Sequence, residues 1–151
     1  MTVVLGAAAA GGTLWFAVAD NGDLLDSDPV SFDLARGLAR GDALLAGQKA
    51  LAAMLRRLQV ERVVLAEGET NVKQTYKAAV PRFTLEVLLE FAAADAGVDL
   101  DRISRARIRS AHGLPRTGSV SSHASSVVAN PLAPHWRDKR DVAALAALAS
   151  S

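Results

Sequence analysis

The sequence predicts an α/β domain, with helices packed on a mixed five-stranded sheet, and three observations carry that prediction. Apolar runs of strand length recur at Val3 to Leu5, at Leu14 to Ala19 and within RVVLAE, Arg62 to Glu67. Asp42 to Leu58 instead carries helical spacing, and Phe83 to Ala96 is strongly apolar, with Pro81 before it and Gly97 after it. Asn21-Gly22 follows the second run and supplies the positive φ that both central positions of a type I′ hairpin turn require.

Two tightly joined strands therefore open the chain, and a third runs through Leu24 and Leu25, extending toward Phe32 with an interruption near Pro29. The first helix places Leu44, Leu51, Leu55 and Leu58 on one stripe, with Asp42 as its cap and Arg56 and Arg57 near its end. A fourth strand, RVVLAE from Arg62 to Glu67, ends in the carboxylate of Glu67, at a sheet rim where open α/β proteins place their chemistry. After a polar stretch, Pro81 suits a first helical turn, Phe83 to Ala96 forms a well-buried second helix, and Gly97 stops it. Arg105, Arg107 and Arg109 alternate with Ala106, Ile108 and Ser110, which predicts a fifth strand with one charged face. That face is either an edge guarded by charge or a phosphate-binding row extended by Arg116. Gly113 to Pro134 reads as a long loop with one short helical turn, and a last helix runs from about Asp138 to Ala149. If a right-handed crossover lays the fourth strand parallel beside the first, the simplest spatial order is 3-2-1-4-5.

A length of 151 residues fits one domain spanning 1–151, long enough to bury a core without disulfides. The hydrophobic fraction of 50% excludes disorder, the alanine excess points to helices packed close on a sheet, and no stretch approaches a bilayer span. MTVVLGAAAAGG lacks the leading positive charge of a secretory signal and is read as folded protein. The absence of cysteine fits a cytoplasmic protein and excludes zinc bound by sulfur. At a net charge of +1, any nucleic-acid site must come from local clustering. His112, His123 and His135 lack metal-ligand spacing, and there is no Gly-x-Ser-x-Gly elbow, Rossmann fingerprint or P-loop.

Positions 138, 141, 145 and 148 follow helical steps, so Asp138 and Asp141 continue the stripe of Leu145 and Leu148 that faces the sheet. Two carboxylates there either cap the helix and favour its dipole, or join Glu67 in a site that compensates their charge.

With these residues in place, the order of elements resembles the ribonuclease H-like superfamily over nearly the whole chain and, within it, the bacterial Holliday-junction resolvases of the RuvC type. Glu67 in VVLAEGE resembles that family's fourth-strand glutamate, and Asp138 and Asp141 in RDKRDVAALAALA resemble its final pair of acids. The first-strand aspartate is missing: the strand reads Leu5-Gly6-Ala7-Ala8, which puts Ala8 at its position, and Asp20 is a poor substitute. The resemblance implies a nuclease in which Glu67, Asp138 and Asp141 bind Mg²⁺ or Mn²⁺ and catalyse phosphodiester hydrolysis. Such chemistry uses two ions about 4 Å apart, held by hard carboxylate oxygens. Three acids without the one on the first strand hold one metal more readily than two. The alternatives are a non-catalytic descendant that binds nucleic acid or protein, and a homodimeric scaffold whose broad apolar second helix is the interface.

For DNA or another nucleic acid the candidate contacts are Lys73, Lys77 and Arg82 after the fourth strand, Arg116 in the long loop, and Lys139 and Arg140 beside the acid pair. Lys73 and Lys77 read equally as a solvated helix face, and Tyr76 either stacks a base or packs. The expectation is weak single-metal binding, little or no cleavage of a four-way junction, and stronger metal binding in Ala8→Asp.

Overall fold

A computed structural model describes residues 2–26, 29–35, 37, 39–68, 75–131 and 135–149; these form a six-stranded mixed sheet between two layers of helix. β1 (Val3–Ala10) and β2 (Thr13–Asp20) pair antiparallel along their full length. Asn21 and Gly22, at φ 51° and 86°, turn the chain into β3 (Asp23–Leu25), as the dipeptide predicts. β4 (Ser31–Phe32) pairs with the start of β2, so the expected third strand is two short pieces along one edge. Helix α1 (Arg40–Arg57) leads to β5 (Arg62–Ala66), parallel to β1, and α2 (Tyr76–Ala96) leads to β6 (Asp99–Ile103), parallel to β5. The resulting order, β3-β2-β1-β5-β6 with β4 also on β2, matches the expected order of strands. β1 and β5 are parallel neighbours at its centre.

Three element assignments are corrected. The fifth strand is Asp99–Ile103, and Arg105–His112 is a helix, α3. The Ser104 hydroxyl accepts from the Arg107 N–H at its start, and Gly113 ends it at φ 64°, which are ordinary helix stop and start signals that the alternating arginines obscured. Charge does guard the sheet edge, but on β6, where Asp99, Asp101 and Arg102 are exposed. Helix α2 begins at Tyr76, capped by the Thr75 hydroxyl at the Ala78 N–H, so Pro81 lies inside it. Only one face of α2 is buried; Phe83, Val87 and Phe91 are exposed. In α1 the cap position is Ala39, and Asp42 sits in the first turn, where it favours the dipole.

Strand alternation divides β1 between two cores. Val3, Leu5 and Ala7 pack with Leu51, Leu55, Leu85 and Leu89 of α1 and α2. Val4 and Ala8 face the other way, against Val142 to Ala147 of the last helix, α4 (Asp141–Ala149). Small residues dominate that second interface because α4 lies almost on the sheet: a Cβ at Gly6 would stand 1.9 Å from the Ala143 carbonyl oxygen. The alanine excess is thus spent on close helix–sheet approach.

Candidate functional site

At the carboxyl ends of the central strands, Ala8 of β1 pairs with Ala66 of β5 and with Trp15 of β2. Ala8 is 3% exposed and belongs to the apolar layer under α4, so the position that the family gives to an aspartate is here part of the core. Glu67 follows Ala66 with its side chain exposed. Its main chain is fixed on both sides, the N–H donating to the Ile103 carbonyl (2.9 Å) and the carbonyl accepting from Arg105 Nε (2.6 Å).

The acid pair does not lie on a common helical stripe. Between Trp136 and Arg140 the chain is irregular, with Arg137 extended and Asp138 left-handed at φ 56° and ψ 21°; regular helix begins only at Asp141. A left-handed aspartate is tolerated because its short polar side chain bonds locally. Asp138 is exposed, whereas Asp141 is 1% exposed. The Asp141 carboxylate accepts at Oδ1 from the N–H groups of Lys139 (3.0 Å) and Val142 (2.7 Å). At Oδ2 it accepts from the Asp138 N–H (3.2 Å) and from the Ser121 hydroxyl. A carboxylate offers about four lone-pair directions, and these donors occupy them. Capping is therefore what Asp141 does, on behalf of α4 and the turn before it.

Among the described residues, no group of three or more histidines or carboxylates is placed to hold a metal ion. Glu67 and Asp138 are exposed, Asp141 is saturated by N–H and O–H donors, and Ala8 is apolar, so this donor set does not fit a pair of divalent ions.

The candidate cations separate into two groups. Arg140 is buried, its Nε donating to the Phe16 carbonyl (3.0 Å), and is corrected from a surface contact to a tie between the start of α4 and β2. Arg82 is largely buried against Glu86 (3.9 Å) and over the Phe83 ring (4.6 Å), so it too is a packing residue. Lys77 and Arg116 are exposed, and Lys139 is half-buried with its Nζ 5.2 Å from the centre of the Trp15 ring. Lys73 lies outside the described residues. Arg107 on α3 is exposed and joins the available cations, whereas Arg109 donates to the carbonyls of Arg116 (2.7 Å) and Gly118 (2.7 Å) and shapes the loop. Tyr76, beside Lys77, is 86% exposed, which removes the packing explanation for it. Ser121 escapes sequence reasoning altogether, because its partner is twenty residues away and no local signal pairs them.

No protein-family model matches the chain, and no curated protein matches it in sequence. Solved structures do match. The Thermus thermophilus RuvC in complex with Holliday junction substrate is 17% identical with a TM-score of 0.73, over 99% of this chain and 92% of that one. A second T. thermophilus RuvC structure is 16% identical with a TM-score of 0.73, over 98% and 92%. The chain shares the fold of these RuvC structures, with its sheet and the helices on both faces of it.

Proposed function

We propose that this is a RuvC-like nucleic-acid-binding protein that engages branched DNA without cutting it. The observation that carries this reading is the contrast between charges: Lys77, Arg107 and Arg116 are exposed, while Asp141, buried at the start of the last helix, is taken up by the fold and Ala8 stands where another acid is expected. Exposed cations contact phosphates, and an exposed tyrosine beside Lys77 offers a face for an unstacked base. Fold similarity to a resolvase bound to a junction supports the choice of DNA as the partner.

The test is fluorescence anisotropy with a labelled four-way junction across a salt series. Affinity is expected to fall steeply with salt because phosphate contacts release counterions. Lys77→Ala and Arg116→Ala should each weaken binding roughly three- to tenfold and flatten the salt slope by about one, and Tyr76→Ala should weaken it with the slope unchanged. Binding that ignores salt, or that survives all three changes together, would refute the proposal.

A homodimer is a compatible second reading, favoured by one apolar patch. Leu45 of α1 and Phe83, Val87 and Phe91 of α2 are exposed side by side, Phe91 at 60%. Contiguous apolar side chains of this kind mark interaction surfaces, and two-fold pairing is the commonest use of them. Phe91→Glu is expected to yield a monomer in sedimentation velocity; an unaltered protein that is monomeric at high concentration removes the dimer.

A further inference from the structure

We infer that Asp141 works as a structural lock in place of a metal ligand, and that the rim therefore stays metal-free even when an acid is restored at position 8. The Ser121 hydroxyl both donates to the Asp141 carboxylate and accepts from the Asp138 N–H (3.1 Å), so one serine and one carboxylate clamp the long loop to the start of α4. The same carboxylate collects the N–H groups of Lys139 and Val142 and stands 1% exposed. To ligate a cation it would have to surrender these donors, leaving N–H groups at a buried helix start without partners. Divalent ions that keep much of their hydration gain too little from one such oxygen to offset that loss. Ala8 adds a second barrier. It packs in the apolar layer under α4, so a carboxylate there would lose its hydration on entering a buried layer made mostly of alanine. This reverses the expectation from the resemblance that Ala8→Asp strengthens metal binding.

The lock and a metal site predict opposite signs for one substitution. In an acid cluster built for cations, neutralising one carboxylate relieves repulsion and raises the melting temperature of the metal-free protein. In a lock, Asp141→Asn lowers it, by about 5 °C for a chain of this size, because one carboxylate oxygen becomes an NH2 group, which donates and cannot accept.

The experiment is thermal melting of the unaltered protein, Asp141→Asn, Ser121→Ala and Ala8→Asp, with and without Mn²⁺, alongside electron paramagnetic resonance titration of free Mn²⁺. The expected result is no Mn²⁺-dependent shift and no saturable Mn²⁺ uptake in the unaltered protein or in Ala8→Asp. Asp141→Asn and Ser121→Ala should melt lower in both conditions. If Asp141→Asn fails to fold, Ser121→Ala still decides the matter, since it weakens the clamp while leaving the carboxylate intact; an unchanged melting temperature there overturns the lock. A Mn²⁺-induced rise in the unaltered protein that disappears in Asp141→Asn overturns the whole inference. Neither readout uses DNA, so a failure of nucleic-acid binding leaves this conclusion standing.

Discussion

Gly6→Ala is expected to remove a third or more of the protein's stability, although it adds one methyl group. The new Cβ would meet the Ala143 carbonyl oxygen at 1.9 Å, the Ala143 carbonyl carbon at 2.9 Å and the Ala147 Cβ at 2.9 Å. The first two are helix backbone, so no rotamer change relieves the overlap, and α4 must move away from β1. That helix buries every residue from Asp141 to Ala147, between the sheet on one side and Ile108, Val120 and Ala124 on the other, and lifting it from β1 disturbs the whole second core. Overpacking that displaces an element costs about 3–5 kcal/mol, against a total of about 5–15 kcal/mol for a typical domain. Chemical denaturation should show a midpoint lowered by a third or more. Gly11→Ala provides the control: Gly11 has φ 61° but nothing within 4 Å of the added carbon, so only conformational strain of about 1 kcal/mol is expected. Equal losses at the two positions would mean that α4 does not pack as described.

Glu86→Ala is the second large loss. Glu86 is 2% exposed on α2 and lies between two guanidinium groups, with Arg102 Nη1 at 2.8 Å and Arg82 Nε at 3.9 Å. Its removal leaves Arg82, largely buried, facing another cation. Breaking one partner out of a buried ionic group typically costs about 3 kcal/mol. The loss here should fall toward the lower end of that scale, because Arg102 is a third exposed and keeps Glu90. Adding Arg82→Leu to Glu86→Ala should recover part of it, since the stranded charge goes with the arginine; a double variant weaker than the sum of the two single ones would contradict the arrangement.

The pH dependence follows from Arg102. Burial lowers its pKa, but the hydrogen bonds and charges of Glu86 and Glu90 outweigh that, and the net shift is upward. A cation with a raised folded pKa contributes stability that is fully present below its unfolded pKa and is lost only as pH rises through the folded one. For an arginine that window lies far above neutrality. The contribution of Arg102 should therefore be flat across the neutral range, as denaturant titrations at several pH values would show.

What could be read from the sequence was what local chemistry determines. Asn21-Gly22 makes its turn whatever surrounds it, Gly97 stops α2 at φ 70°, and the Val and Leu of β1 and β5 announce central strands. β6 was not legible because DLDRI lies at the sheet edge and shows no apolar alternation; its Arg102 is satisfied by acids on α2, twelve and sixteen residues before it. The arginines of α3 imitated strand periodicity because a helix of eight residues that buries only Ile108 has too few apolar positions to reveal its own period.

The acid pair does not have the geometry that its spacing suggests. Steps of three and four assume continuous helix, and continuity fails at Asp138, whose N–H goes to Ser121 and Asp141. Arg140 looked like a phosphate contact beside those acids, yet its partner is the Phe16 carbonyl, 124 residues away. Contacts of that range leave no trace in local pattern, which is why the fold emerged from the sequence more fully than its site did.

On the proposed function, a chain with the fold of RuvC binds junction DNA and leaves it uncut. Incubation of the unaltered protein with a labelled four-way junction in Mg²⁺ or Mn²⁺, resolved on native gels for binding and denaturing gels for cleavage, tests it most directly. A salt-sensitive shifted band with uncut strands is the predicted result. Metal-dependent cleavage at defined positions by the unaltered protein, abolished in Glu67→Gln, would contradict it.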